Sequence, residues 1–478
     1  MDYITCGHEC IDAVIGAIQL FFPNEQYKRI EQGEQSLRYL LSTYENGLVT
    51  ACFFVEGKTI AEESINLVDN NIAHSVKRSI YFMFSKMTER TLPWGILTGI
   101  RPAKIVSGLL DSGKSEGEAL SHLISKYLVT PEKAALSLQV ALTEKKILAE
   151  SAPDNYSLYV GIPFCPSKCL YCSFTSFPIA KYEYLVYEYI NRLKLEMDHA
   201  VETFAGTKLE NLYIGGGTPT SIDDRSFEEL LKALSERFDI ESLREFTVEA
   251  GRPDTITENK LDIMKRYGVS RISINTQSIN DKTLLAIGRK HSATDFFTAF
   301  ELARQKGFDH INIDVILGLD GENREDVIKT FDSICLLNPE EITVHTLAVK
   351  RASRLKEELA ERNLAQADLM EEFLNISKSY MDNFAYKPYY MYRQKNMLGN
   401  FENVGYGKNN NFGIYNVAIM EEVQNIIAIG AGSVSKFVNR ATDRIERSFN
   451  VKDIDGYMQR IEEMLIRKTA VLNKVFER

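Results

Sequence analysis

Between Tyr156 and Leu347 the chain repeats one pattern: a short apolar run, a loop, then a long amphipathic stretch. The apolar runs are Leu158–Pro163, Leu212–Ile214, Phe246–Val248, Arg271–Asn275, Ile311–Leu317 and Ile342–Leu347. The amphipathic stretches include Tyr184–Phe204, Phe227–Phe238, Asn259–Tyr267, Phe296–Lys306 and Arg324–Leu337. Parallel strands need a long crossover, and an amphipathic helix supplies one. Six such units predict an α/β fold, a parallel sheet with helices outside. Right-handed crossovers curl that sheet into a full or partial (β/α)6 barrel. In barrels of this kind, chemistry sits at the C-terminal ends of the strands. The cysteine-, glycine- and carboxylate-bearing motifs of this region all fall there.

The loop after the first run reads P-F-C-P-S-K-C-L-Y-C, which places Cys165, Cys169 and Cys172 at C-x3-C-x2-C. Three thiolates can hold three irons of a [4Fe–4S] cluster and leave the fourth open to a substrate or cofactor. A structural zinc site is the alternative, but it needs a fourth ligand at close spacing, and no His or Cys follows. Pro163 and Pro166 stiffen the loop, and Lys168 offsets thiolate charge.

After the second run comes Gly215-Gly216-Gly217-Thr218-Pro219-Thr220, whose glycines let backbone amides approach a ligand. Alone it is also a tight strand-to-helix turn. Glu249 ends the third run, where a carboxylate can accept from a ribose diol. Gln277, Arg289 and Asp314 follow on later units. Asp314 interrupts the apolar strand I-N-I-D-V-I-L-G-L, and a buried carboxylate needs partners.

With these residues in place, the chain resembles a radical S-adenosylmethionine (SAM) enzyme of the oxygen-independent coproporphyrinogen III oxidase group. It is most similar to the HemZ branch, through L-T-G-I-R-P-A-K at 97–104 and Y-R-Q-K-N-M-L-G-N at 392–400. The resemblance is strong over 156–350 and looser to about 437. It implies a radical SAM partial barrel with the cluster on Cys165, Cys169 and Cys172. It implies Tyr159, Gly216, Glu249 and Ala348 as contacts to one SAM. Tyr171, Gly217, Thr218, Gln277, Arg289 and Asp314 would contact a second, so that one or two SAM molecules bind. The implied partners are a tetrapyrrole substrate and an external one-electron donor such as flavodoxin or ferredoxin. The implied reaction is oxidative decarboxylation of coproporphyrinogen III propionates to vinyl groups. Two other activities stay open: radical methyl transfer to haem or another tetrapyrrole with ring opening, and haem carriage without turnover. The founding decarboxylases have a fourth cysteine where this chain has Phe174. The chaperone branch has a His-Asn…Tyr-Trp segment where this chain reads Y-N-V-A-I-M-E-E, with Asn416 but no neighbouring His or Trp. The catalytic residues are otherwise unknown: no protein general base stands out.

Outside the repeat, residues 1–150 read as an N-terminal α+β domain. Ile11–Phe22 is a short amphipathic helix. Ser36–Tyr44 and Val49–Glu56 are strands around an Asn46-Gly47 turn. Residues 62–90 and 114–148 are helical in pattern, the last helix opening at Thr130-Pro131-Glu132. Ser151–Asn155 is a linker. Residues 156–350 form the barrel, and 351–478 form a C-terminal HemN-like lid or substrate-side domain. That last segment is helical from Ser353 to about Phe384, then strand-like over Tyr386–Tyr392.

Composition narrows partners and compartment. A net charge of −10 argues against nucleic acid and against a polybasic membrane anchor. Ala13–Phe22 is too short to span a bilayer, and Met1-Asp2-Tyr3 lacks a basic leader, so a cytoplasmic location is expected. Seven cysteines, three of them clustered, do not form a secreted disulfide framework. Cys6, His8 and Cys10, with Cys52 the other thiol there, read as structural; Cys335 reads as core. Lys350, Arg351, Arg354 and Lys356 could meet substrate carboxylates, or start a solvated helix. Arg393 and Lys395 beside Tyr389, Tyr390 and Tyr392 form a comparable patch, with tyrosine packing as the alternative. Trp94 is expected to anchor the N-terminal domain.

Overall fold

The computed structural model describes residues 1–23, 25–98, 101–348, 367–393, 401–442 and 444–476. They fall into two compact units, Met1–Leu138 with Arg393–Asn396, and Gln139–Tyr392 with Met397–Arg478.

The first unit is a five-stranded sheet. Its strands are β1 Asp2–Cys6, β2 Lys28–Arg29, β3 Arg38–Glu45, β4 Leu48–Val55 and β5 Lys58–Asn66, in the order β2-β1-β3-β4-β5. Helices Ile11–Phe21 and Ile72–Thr88 pack on it around Val14, Ile18, Leu40, Ala51, Val76, Ile80 and Phe84. Asn46 and Gly47 both take positive φ, 52° and 82°, the geometry an Asn-Gly hairpin requires. Residues 62–66, expected to be helical, are the end of β5. A second tight turn at Glu56-Gly57, again with both φ positive, returns the chain along β4. Cross-strand pairing then outweighs the helix preference of Glu62 and Glu63. The helix starts only at Ile72, capped by Asn71. A further helix, Pro102–Asp111, lies where the sequence pattern signalled none. Trp94 is buried, and the Arg393 guanidinium lies 4.8 Å over its ring. His8 accepts from the Cys10 N–H at Nδ1 and meets Ser42 Oγ at Nε2, and Cys6, Cys10 and Cys52 are free thiols.

The strands of the second unit are β6 Tyr156–Ile162, the two-residue β7 Phe164–Cys165 and β8 Phe177–Pro178, β9 Leu209–Gly216, β10 Glu245–Gly251, β11 Arg271–Ile274, β12 Ile311–Leu317, β13 Glu341–Thr346, β14 Lys387–Tyr392, β15 Asn403–Gly407, β16 Asn425–Ile429, β17 Val434–Asn439 and β18 Arg444–Phe449. The six apolar runs become β6, β9, β10, β11, β12 and β13. They lie side by side in chain order, every neighbour parallel, the arrangement that repeated right-handed crossovers produce. Beyond β13 lie β15 and β14, antiparallel; beyond β6 lie β16, parallel, then β17 and β18. The barrel is therefore partial, and strands from the last quarter of the chain extend both its edges.

Helices Val186–Thr203, Asp224–Ser235, Glu258–Arg266, Ala293–Gln305 and Arg324–Leu336 join consecutive strands. Side-chain caps set the starts of the last four: Asp223 and Thr257 each accept one backbone N–H, and Ser292/Asp295 and Asn323/Asp326 form complete capping boxes. A fixed helix start fixes the length of the loop before it at the barrel mouth.

The opposite end of the barrel is charged. Arg271, first in β11, donates from Nε and Nη2 to the two oxygens of Glu341, first in β13, at 3.0 and 2.6 Å. His310 Nε2 at 2.5 Å and the Tyr389 hydroxyl at 2.7 Å complete the carboxylate's partners. Arg271 is 1% exposed and Glu341 0%. Burial alone would raise the Glu341 pKa, but Arg271 and then His310 outweigh it and hold it down to about 2.

Candidate active site

The cysteine loop leaves β6 at Pro163 and is pinched shut by the short β7–β8 ladder and by the Phe177 N–H on the Pro163 carbonyl, 2.7 Å. Other barrel loops grip it from outside. The Leu170 N–H donates to the Ile287 carbonyl at 3.0 Å, and Ser167 Oγ donates to the Gly288 carbonyl at 3.2 Å. Cys165 and Cys169 are buried, Cys172 is half-buried, and none of the three is in a disulfide. Thr218 Oγ1 lies 3.5 Å from Cys165 Sγ. A Cβ on Gly217 would stand 2.6 Å from the Phe164 carbonyl oxygen and 2.9 Å from Cys165 Sγ, so glycine there keeps the sulfur's surroundings open. Among the described residues no three His, Cys, Asp or Glu side chains converge on one point closely enough to hold a single metal ion. A cluster asks for something else: soft thiolates, each on a different iron. Three cysteines outside any disulfide, in one pinned loop, fit that group.

One set of candidate residues gathers on the Gly215–Thr218 loop, which touches Cys165 through Thr218. Glu249 Oε1 accepts from the Tyr213 hydroxyl at 2.6 Å, and Oε2 accepts from the Gly216 N–H at 3.2 Å. Gly215 and Gly216 permit this approach: a Cβ on Gly215 would meet Glu249 Oε2 at 2.8 Å, and Gly216 has φ +111°. Burial raises the Glu249 pKa to about 7; the Tyr213 hydrogen bond opposes this, and the charge of Asp314 adds to it. Tyr159 from β6, Tyr213 from β9 and Tyr415 from helix Ile414–Glu421 stack beneath, with ring centroids 4.5 to 6.3 Å apart.

A second set runs from Arg289 and Tyr171, which neighbour Cys169, to Asp314 on β12. Arg289 Nη2 donates to the Tyr171 hydroxyl at 3.2 Å, and Nη1 donates to the Asn275 carbonyl. Gln277, at φ +72°, donates its N–H to the Asp314 carbonyl at 3.0 Å and accepts from the Ile316 N–H at 3.0 Å. Gln277 Oε1, Asn275 Oδ1 and Arg289 Nε are buried and have no hydrogen-bond partner among the described residues. Asp314 Oδ1 accepts from Asn312 at 2.8 Å, and Oδ2 faces His345 Nε2 at 3.8 Å. Burial pushes Asp314 up, but His345 outweighs it and holds the carboxyl below its usual range. His345 Nδ1 is 3.3 Å from the Tyr392 hydroxyl. Ala348 is half-buried just past β13. Buried polar atoms left unpaired are costly, so a ligand's donors and acceptors would be gained here at low cost.

All ten predicted SAM contacts lie among the described residues: Tyr159 and Asp314 at mid-strand, the others near strand ends or in adjoining loops. Thr218, grouped by resemblance with the second SAM, touches Cys165 in the first set. Sequence reasoning missed Tyr213, His345 and Tyr415. Tyr213 sits two residues before Gly215 on the same strand, and His345 alternates with buried Val344, so both carried a period-2 signal. Tyr415 carried none: its ring arrives on a helix more than 200 residues from Tyr159 and Tyr213. Of the tyrosine patch, Tyr389 and Tyr390 are core residues packed with Ile147, Phe412 and Val417, and Tyr392 turns toward His345. Phe174 is 63% exposed. Lys350, Arg351, Arg354, Lys356 and Lys395 lie outside the described residues, as do parts of the segments 97–104 and 392–400.

Residues 159–334 match the Radical SAM superfamily. The chain is 38% identical over 444 residues to the oxygen-independent coproporphyrinogen-III oxidase-like protein HemZ of Bacillus subtilis (strain 168), covering 90% of this chain and 89% of that protein. It is 36% identical over 195 residues to the heme chaperone HemW of the same organism, across 41% of this chain and 51% of that one. The Escherichia coli coproporphyrinogen III oxidase HemN, a radical SAM enzyme, shares the fold at TM-score 0.52 and 21% identity, over 68% of this chain and 73% of that one. A [4Fe–4S] cluster and SAM are the cofactors of this superfamily. The chain therefore belongs to the radical SAM superfamily and, within it, to the family of the coproporphyrinogen-III oxidase-like HemZ protein.

Proposed function

We propose that this chain is an oxygen-independent oxidative decarboxylase that converts propionate side chains of coproporphyrinogen III to vinyl groups. The observation that carries this reading is the likeness to HemZ: at 90% coverage it must include parts of the N-terminal segment, the barrel and the C-terminal strands alike. Cys165, Cys169 and Cys172 would hold the cluster and leave one iron for SAM. When bound, cluster and SAM supply a carbon radical able to abstract hydrogen from an unactivated side chain.

The chain's own residues bind, orient and exclude water. Glu249, held at both oxygens by Tyr213 and Gly216, would accept from the ribose diol of SAM, with Tyr159 and Ala348 beside it. Tyr171, Gly217, Thr218, Gln277, Arg289 and Asp314 would line a second nucleoside or substrate position. Arg289, spanning Tyr171 and Asn275, is a fixed cation for a carboxylate. His345, between Asp314 and Tyr392, is a donor–acceptor at the same mouth. An external one-electron donor of the flavodoxin or ferredoxin kind, and a cytoplasmic location, complete the proposal. Among the described residues no helix is long and apolar enough to cross a membrane.

The test is anaerobic reconstitution with SAM, reductant and coproporphyrinogen III, followed by mass spectrometry. 5′-Deoxyadenosine with stepwise loss of carbon dioxide is the expected result. 5′-Deoxyadenosine with unchanged porphyrinogen rejects decarboxylation and favours methyl transfer to another tetrapyrrole. A second reading, haem carriage, is favoured by the HemW likeness through the barrel; haem binding without SAM cleavage would support it. Cys169→Ala should abolish the cluster absorbance and SAM cleavage.

A further inference from the structure

Arg252 follows β10 and is 3% exposed. Its Nε and Nη2 fork onto the Asp254 carboxylate at 2.9 and 2.8 Å. Its remaining nitrogen, Nη1, donates to Ser167 Oγ at 2.7 Å, with the Ser167 carbonyl oxygen at 3.5 Å. Ser167 is the middle residue of the three between Cys165 and Cys169. The contact continues through Ser167 Oγ to the Gly288 carbonyl. The turn that carries the ion pair is itself tied down. Thr255 Oγ1 donates to the Arg252 carbonyl at 2.8 Å and meets Thr220 Oγ1 at 2.7 Å, and Lys260 Nζ donates to the Thr220 carbonyl at 2.7 Å.

A buried guanidinium is thus held against the cysteine loop by one edge, while its counter-ion occupies another. Arginine suits both tasks, since its planar fork satisfies a carboxylate and still offers a donor. Reduction of a cluster adds negative charge. Hydrogen bonds and charges near the sulfurs set the reduction potential, and the residues behind the ligands fix their orientation.

We propose that Arg252 is a positioning residue for the cysteine loop and that the Arg252–Asp254 pair acts as an oriented dipole that raises the cluster's reduction potential. This rests on the reading that Cys165, Cys169 and Cys172 hold the cluster. Arg252 holds Ser167 and presents positive charge to the loop; Asp254 weakens that charge without touching the loop. The two halves therefore act with opposite sign.

The experiment uses the full-length chain reconstituted anaerobically, with iron and sulfide content, far-UV circular dichroism and an EPR-monitored redox titration. Arg252→Gln should make the midpoint more negative. At a fixed applied potential the reduced-to-oxidised ratio should fall on the order of tenfold, about 59 mV for a one-electron couple. Asp254→Asn should move the midpoint the other way. Arg252→Lys, which keeps the charge and loses the fork, should recover at least half of the shift. A purely architectural pair would shift both variants in one direction or neither. Arg252→Gln with full iron content and a wild-type midpoint overturns the proposal, as do shifts of equal sign in the two halves. Should Arg252→Gln fail to load a cluster, Asp254→Asn and Arg252→Lys decide, and wild-type midpoints in both overturn it. Cys169→Ala that retained an unchanged cluster spectrum would overturn the ligand assignment instead.

Discussion

Two carboxylates of one barrel, Glu341 fully buried and Glu249 half-buried, behave in opposite ways. Glu341, at the floor, is met by Arg271, His310 and Tyr389, and its pKa is held down to about 2. Glu249, at the mouth, receives one hydroxyl and one backbone N–H, and burial raises it to about 7. The same contrast runs through the neighbours. At the floor, the buried ions are paired; at the mouth, Gln277 Oε1, Asn275 Oδ1 and Arg289 Nε have no hydrogen-bond partner among the described residues. The floor uses its polar groups to tie β11 to β13, and the mouth keeps its own in reserve for a ligand. A site that must bind strongly is not finished in the free protein, because a group already satisfied gains nothing further from a ligand.

The contrast breaks most sharply at the floor. Arg271→Met leaves Glu341 buried without its fork partner and should cost ~3–5 kcal/mol, read as a lower denaturation midpoint with unchanged m-value. A loss no larger than that of a surface substitution would mean that the pair does not tie β11 to β13. At the mouth, Gly217→Ala forces a methyl to within 2.6 Å of the Phe164 carbonyl oxygen and 2.9 Å of Cys165 Sγ. It should cost ~1–3 kcal/mol and lower the iron bound per chain after reconstitution.

The pH dependences of the two carboxylates sharpen the comparison. Folded Glu249 keeps its proton up to about 7, whereas the unfolded side chain releases it near 4.5. Its contribution is fully present below that lower value and is lost as pH rises through about 7. Glu249→Gln should therefore gain stability relative to wild type across that window, measured by denaturant titration at several pH values. Glu341, whose folded value is lowered, contributes above about 4.5 and loses its contribution as pH falls through about 2. A Glu249→Gln profile parallel to wild type would place Glu249 with Glu341, as a structural group. The smallest effect is expected at Gln277→Met: stability within ~1 kcal/mol, since the lost Oε1 was unpaired, but weaker SAM binding by equilibrium dialysis.

Much of this arrangement was legible before any fold was known. The six strands follow from the alternation of apolar and amphipathic stretches, and the cysteine loop announces itself by spacing. Glu249 and Asp314 are visible as carboxylates at the end of, or within, apolar strands. Elsewhere local signals misled or ran out. The stretch 62–66 carries helix-forming glutamates and is a strand, because the Glu56-Gly57 turn delivers it to β4. The C-terminal strands extend both edges of the barrel sheet, which no local pattern in 386–449 announces. His345 needed only its strand parity, but that parity acquires meaning once β12 sets Asp314 beside it.

By itself the sequence determined the β/α repeat, the three-thiol loop and the strand ends that carry chemistry, because period, spacing and composition are local properties. Only the tertiary structure decided which partners those residues meet. It set Arg271 against Glu341 but left Glu249 with a hydroxyl and an amide, brought Tyr415 under the mouth, and turned Arg252 toward Ser167. Those outcomes depend on distances across strands and loops far apart in the chain, and charge and desolvation act through space, not along it.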